Sequence, residues 1–339
     1  MNRNHKLVKQ LNMQHFALNT QVTTQNSLSD EMKTFYAKRL IDYAEPNLVH
    51  DQFGDDYNIP ANGGKSIEFR KYSSLSKALT PLTEGVTPNG DSLEVSTITA
   101  SVSQYGNYIT ISDILKMTAI DNNVLQALKI LGSQAGRTLD TITRNVLAGG
   151  TNVIYAGGGA SRSTLTLADN KVKPVDFFDA AAVLEGMNAP KIDGNYVAII
   201  HPYVARDLMT SSEWLDVHKY ADPEKIFKGE IGMLANIRFV STTEAKVWND
   251  STCPTNANAT NGHNAVFSTL VLGANAYGKT SVEGGGLQTI VKQLGSGDDP
   301  LNQRATVGWK AIKTAERLVE QYMVRIESLS SFSTKTAAN

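Results

Sequence analysis

Val124, Leu128, Leu131, Ala135, Leu139, Ile142 and Val146 follow one another at steps of four and three, which places them on one face of an α-helix. Asp121 or Asn122 can cap the start, and Gly149 and Gly150 end it. The spacing predicts a helix over 121–148, a rod of roughly 40 Å at about 1.5 Å per residue. Gln126, Lys129, Ser133, Arg137, Thr141 and Arg144 fall on the opposite side, which is expected to stay wet. A one-sided rod of this length needs a partner surface. The apolar β segments of 263–330 are the expected one.

A second helix is predicted over 28–45. Met32, Phe35, Tyr36, Leu40 and Tyr43 give it an apolar side, Ser29 or Asp30 can cap it, and Pro46 stops it. Residues 1–30 are polar and aperiodic, so a flexible arm is expected there, with a short helix at 7–16. Residues 51–64 read as a loop rich in Asp and Gly. Residues 65–72 alternate, with Ile67 and Phe69 against Glu68 and Arg70. Residues 93–112 form a longer extended stretch dense in Thr, Val, Ile and Tyr. Between them lie the breakers Pro81, Gly85, Pro88, Asn89 and Gly90. This predicts a long β-ribbon with an elaborate tip. It has too few large apolar residues for a core, and a two-stranded ribbon is marginal alone. It must rest on the body of the chain or on a neighbour.

Beyond the long helix, 149–170 is glycine-rich and reads as a loop or short hairpin. Residues 174–189 predict an amphipathic helix with Pro174 in its first turn, 195–200 a short apolar strand, 201–215 a helix with Pro202 near its start, and 237–242 a strand. Helix and strand alternate over 174–245, which suggests a small α/β unit. Residues 249–264 read as a polar surface loop and 265–272 as a buried strand. Three β-rich segments follow, then a polar tail after Ser330 that is expected to fray. The fold class is α+β.

A length of 339 residues suggests two domains, or one with large insertions. With 32 basic and 33 acidic residues the net charge is −1, so no strong field draws in nucleic acid or an anionic membrane. Charged residues make up 19%, below the usual ~25%, and the resulting neutral polar surface suits contact with other subunits. Cys253 stands alone, which excludes an intrachain disulfide and a cysteine metal site. The first residues lack a signal-peptide apolar run, and no stretch approaches the ~20 apolar residues of a membrane span. A soluble protein made inside the cell, without membrane attachment, is expected.

The sharpest chemical motif is Gly273-Ala-Asn-Ala-Tyr-Gly278-Lys279-Thr280, which matches the phosphate-binding loop and follows a predicted strand. That chemistry requires a helix directly after it, whose first amides hold the phosphates. Gly284, Gly285 and Gly286 would end such a helix within its first turn. The competing reading is a strand, a turn and another strand. None of the six His (His5, His15, His50, His201, His218, His263) forms a ligand pair. His201, before Pro202, reads as a helix cap or packing residue. No nucleophile elbow is present, and Cys253 has no nearby His in sequence. The pairs Asp55–Asp56 and Asp298–Asp299 read as solvated turn charges, Gly157–Gly159 lacks a dinucleotide-loop context, and Arg137 with Asp140 reads as an exposed helix pair. No catalytic residue, cofactor or metal site is expected, and the chain is not expected to be an enzyme.

The order of elements, together with the stretches at 23–54, 59–75, 81–88, 195–209, 228–242, 270–278 and 299–312, resembles the major capsid protein of tailed bacteriophages, and within it the N-four-type family. The resemblance spans most of 23–327. It implies the Hong Kong ninety-seven-type (Johnson) fold: an N-terminal arm at 1–58, an extended loop at 59–112 lying over a neighbouring subunit, a peripheral domain at 113–173 whose spine is the long helix, an axial domain at 174–262, and a return to the peripheral domain at 263–339. The implied function is self-assembly, through hexamers and pentamers, into an icosahedral virion shell made in the host bacterial cytoplasm. Scaffolding, portal and decoration proteins are implied partners. Packaged double-stranded DNA would be held without sequence-specific binding. Leu79, Pro81, Leu82 and Val86, at the ribbon tip, are expected to contact another subunit. Three alternatives are a bacterial shell of the same fold with an enzyme cargo, a nucleotide-binding enzyme acting through Gly273–Thr280, and a monomeric tail-associated protein.

Overall fold

The computed structural model resolves the long apolar-faced segment as one helix packed against two sheets. It describes residues 38–44, 48–60, 63–72, 75, 77–81, 84–85, 87, 89–118, 123–211, 214, 232–282, 285–294 and 299–339. In chain order these form α1 (38–44), β1 (Asp55–Ile59), β2 (Ser66–Tyr72), β3 (Val95–Ser101), β4 (Ser103–Ser112), α2 (Asp113–Thr118) and the long helix α3 (Asn123–Ala148). There follow β5 (Val153–Tyr155), α4 (Pro174–Gly186), β6 (Tyr196–Ile200), α5 (Pro202–Met209), β7 (Met233–Leu234), β8 (Ile237–Ser241) and β9 (Val247–Trp248). The last strands are β10 (Val266–Leu272), β11 (Tyr277–Val282), β12 (Gln288–Lys292), β13 (Arg304–Arg317) and β14 (Met323–Ser328). The expected arm helix at 7–16 and the caps Asp121 and Asn122 lie outside the described residues.

The first sheet is built on β13, whose 14 residues are enough for three partners. β4 runs along one edge, while β12 and then β11 share the other, and β1 adds to β11 in parallel. Alternation on β13 points Ala305, Val307, Trp309 and Ala311 inward. There Val307, Trp309 and Ala311 meet Leu128, Leu131, Ala135 and Leu139 of α3, so the helix lies on the predicted segment. Leu40 of α1 joins this core. α1 crosses α3 at Gly132, where an added Cβ would stand 2.8 Å from the Leu40 carbonyl oxygen; only glycine allows the approach. The far end of α3 reaches the second sheet, where Leu147 packs with Ile199, Leu270, Leu272 and Met323.

The second sheet has the order β5-β14-β10-β6-β8-β7, with β9 on the end of β10. β6, α5 and β8 realise the predicted α/β alternation, with β6 and β8 parallel. The segments of 263–330 divide between the sheets: β10 and β14 go to this one, β11 to β13 to the other. His201 caps α5 by accepting from the Tyr203 amide at 3.2 Å, as its position before Pro202 implied.

Several expectations need correction. The stretch 93–112 is not one ribbon strand: β3 pairs with β2, but after Val102 the chain leaves the ribbon and β4 pairs with β13. Residues 55–59, read as loop, form β1, because pairing to β11 supplies the order that local composition lacks. Glycine-rich 149–170 holds no hairpin; β5 instead pairs in parallel with β14. Asp140 is not in an exposed pair with Arg137 but fully buried, and Arg144 is buried rather than wet. The tail past Ser330 is packed, not frayed. Ser333 and Thr334 carbonyls accept from the Ala265 and Thr260 amides at 2.9 and 3.0 Å, and the Asn339 carboxamide oxygen accepts from the Val247 amide at 2.9 Å. Polar residues order there by satisfying backbone groups.

Two predictions follow from this packing. Leu131→Ala should lower stability by about 2–5 kcal/mol, and Leu131→Asp should abolish the cooperative urea transition seen by far-ultraviolet circular dichroism. An unchanged midpoint for either variant would contradict the packing. Burial holds the His201 imidazole down from 6.5 to about 4. Between those values the unfolded chain takes up a proton that the folded chain refuses. Stability is therefore full above pH 6.5 and declines as the pH falls toward 4, by at most about 3 kcal/mol. His201→Asn keeps an acceptor for Tyr203 and should flatten that part of the stability profile.

Candidate assembly surfaces

The phosphate-loop motif does not form a nucleotide site. β10 ends at Leu272, the chain turns with Asn275 at φ 57, and Tyr277 opens β11, a strand where a phosphate loop needs a helix. Lys279 spends its donors internally, on the Asp51 carbonyl at 2.8 Å and the Asp56 carboxylate at 3.2 Å. It belongs to a cluster that pins residues 50–51 between α3 and the first sheet. The His50 amide donates to Asp140 Oδ1 at 2.6 Å, and His50 Nδ1 lies 2.6 Å from Asp140 Oδ2. Asp51 accepts from Thr143 at 2.6 Å and pairs with Lys313, and the Tyr277 hydroxyl donates to the His50 carbonyl. Burial pushes the Lys313 ammonium down from its ordinary value, with Asp51 opposing that shift. Burial also lifts the Tyr277 hydroxyl well above 10, which keeps it a donor. No short-range sequence pattern announced this cluster: its members lie as far apart as Asp51 and Lys313.

The other chemical candidates stay separate. Cys253 is buried, with its thiol pushed up first by that burial, which suits an inert side chain. His263 lies near it, but its Nδ1 meets the Cys253 carbonyl oxygen at 3.2 Å, not the sulfur. Asp55 and Asp56 sit on β1 rather than in a turn. Burial raises the Asp55 pKa, and Asp56 adds to the rise. Asp299 binds the Arg304 amide at 2.7 Å; Asp298 lies outside the described residues. Gly157 and Gly158 have positive φ in a 3₁₀ turn, where the Gly157 amide donates to the Asp176 carboxylate at 3.1 Å. Among the described residues no three His, Cys, Asp or Glu side chains converge as a metal-ligand set.

The described surface also exposes large apolar side chains. Among the described residues the ribbon is anchored at its base, where Phe69 is buried and its ring meets Tyr57 edge-on at 4.8 Å. Toward the tip, Leu79 is 82% exposed and Leu93 70%, with Leu75 and Pro81 also exposed. Of the expected contact residues, Leu79 and Pro81 thus stand in solvent in the single subunit, while Leu82 and Val86 lie outside the described residues. A second apolar group was not expected: Ile114 and Met117 of α2, with Leu125 and Ile130 of α3, all exposed. Leu125 and Ile130 fall off the helix's apolar face, and that mismatch was the available signal. On the outer face of the first sheet, Tyr108, Ile290, Lys292 and Arg304 border an open cavity of about 600 Å³.

A subunit with apolar side chains spread along a projecting ribbon is built to be covered. A family model described as phage capsid protein matches residues 117–311, more than half of the chain. No curated protein matches it in sequence. Among solved structures, the capsid of cyanophage P-SCSP1u is similar at TM-score 0.63 and 16% identity, over 84% of this chain and 89% of that one. The capsid of Ralstonia phage GP4 gives 0.63 and 16%, over 82% and 87%. The mature capsid of bacteriophage PhiM1 gives 0.54 and 13%, over 86% and 87%. These likenesses carry the fold, and the family model carries the membership: the chain belongs to the phage capsid protein family, as a major capsid protein of the Hong Kong ninety-seven-type fold.

Proposed function

We propose that copies of this chain form the hexamers and pentamers of an icosahedral head, assembled in the host bacterial cytoplasm, that encloses double-stranded DNA. In this reading residues 1–58 are the arm, the part of 59–112 before β4 the extended loop over a neighbour, α3 with the first sheet the peripheral domain, and 174–262 with the second sheet, which β10 and β14 join, the axial domain. The observation that carries it is the ribbon: seven-residue strands β2 and β3 with no core of their own and exposed leucines toward the tip. A projection of that kind gains its order from a surface outside the subunit. The family match favours a phage head over a cargo-bearing bacterial shell. The mechanism is packing and strand addition rather than catalysis, which fits a motif lysine spent on Asp51 and Asp56. With a net charge of −1, the shell would confine DNA rather than bind it through a basic groove, and scaffolding, portal and decoration proteins would join from outside this chain.

Negative-stain microscopy of the purified protein tests the assembly directly, with capsomers or closed shells expected. Leu79→Glu and Leu82→Glu should each keep the subunit's unfolding midpoint and abolish shells. Normal shells from both variants would show that the tip contacts nothing. A stable monomer from the unaltered protein, at all salt and crowding conditions, would count against the whole reading.

A further inference from the structure

β4 is an edge strand with an unusual composition. Among the described residues it pairs only with β13, over its full length from Ser103 opposite Lys313 to Ser112 opposite Arg304. Its other edge is open for ten residues, SQYGNYITIS. The direction of that edge can be read from three amides. Asp113 donates to Gln303, toward β13, at 3.0 Å. Val102 donates at 2.9 Å to the carbonyl of Lys65, which leads into β2 on the opposite side, and Tyr108 donates at 2.8 Å to the side-chain oxygen of Asn107, the residue before it. Even-numbered amides therefore face away from β13, and Gly106, Tyr108 and Thr110 present them to the open edge.

Natural sheets guard such edges with charge, proline, bulges or short length. The other free edges of the two sheets are guarded. β1 carries Asp55 and Asp56, β12 ends in Lys292, and β5 and β7 have three and two residues. β4 contains neither a charged residue nor a proline. Pairing across a two-fold axis brings residues related by the strand's own centre face to face, so a charge near that centre would meet its like. An edge without charges is the kind that tolerates its own copy.

We propose that the open edge of β4 pairs antiparallel with the β4 edge of a second copy across a two-fold axis, joining two first sheets into one. This rests on the self-assembly reading above. The Asn107 carboxamide holds the Tyr108 amide in the lone subunit, and the incoming strand takes its place. Tyr108, 68% exposed, then gains cross-strand neighbours from the partner's outer face.

The test is cysteine scanning in assembled protein, in a Cys253→Ala background. Gln104, Gly106, Tyr108 and Thr110 are each changed to Cys and oxidised after assembly, with shells scored in parallel by microscopy. Antiparallel self-pairing has one centre, so disulfide-linked dimer should form at one position or two adjacent ones and fade on either side. Shells without dimer at any position, or with equal dimer at all four, overturn the pairing and leave self-assembly standing. A background protein that never forms capsomers or shells defeats both. Thr110→Pro removes an outward amide without touching the β13 ladder. It should leave the unfolding midpoint within range of the unaltered protein and eliminate shells; folded protein that still assembles fully overturns the proposal.

Discussion

Burial of one face of α3 against β13 is the contact on which the subunit depends. Leu128, Leu131, Ala135 and Leu139 are each less than a tenth exposed, against Val307, Trp309 and Ala311. Each large side chain fully buried there contributes about 1.5–3 kcal/mol. Because β13 is long, the same strand that seats the helix also organises β4, β11 and β12. Because α3 is long, its last turn enters the core of the second sheet through Leu147. One helix and one strand thus bridge both halves of the chain.

Around that contact, polar groups act as fixed ties rather than as chemistry. His50 and Asp140 are fully buried together, and Asp51 joins Thr143, Lys313 and the backbone-bound Lys279. In the second sheet, Glu327 accepts from Arg162 at 2.7 Å and from Arg325 at 2.9 Å, with the Arg162 guanidinium 3.8 Å over the Trp248 ring. Buried ion pairs add little net stability, but removing one partner strands a charge in the interior. Their effect is specificity of geometry: residues 48–54 and the strands near Trp248 have one place to go.

The outside of the molecule follows the opposite logic. Inside, apolar and charged groups are matched within one chain. At the ribbon and on α2 apolar side chains are exposed, and among the described residues β4 pairs along one edge only. A shell subunit has to be stable alone yet incomplete, so that closing its surface depends on other copies. Exposed leucines at the ribbon tip meet that requirement without lowering the stability of the subunit's own core.

Periodicity alone determined α3, the α/β alternation of 174–245 and the buried strand β10, and Gly284–Gly286 argued against the phosphate-loop motif, because each is written in residues close together in sequence. The family, too, was legible in the order of elements. The tertiary structure decided what local pattern cannot carry. It broke 93–112 between ribbon and sheet, since an extended chain is equally suited to either and only the competing partners, β2 and β13, choose. It made a strand of Asp55–Ile59 through pairing with β11. It buried Asp140 and Arg144 on a helix face that composition marked as wet, because their partners, His50 and the Glu244 carbonyl, come from distant segments. It also left one edge of β4 without a partner among the described residues: side-chain alternation predicts a strand, but its neighbours are a property of the whole sheet.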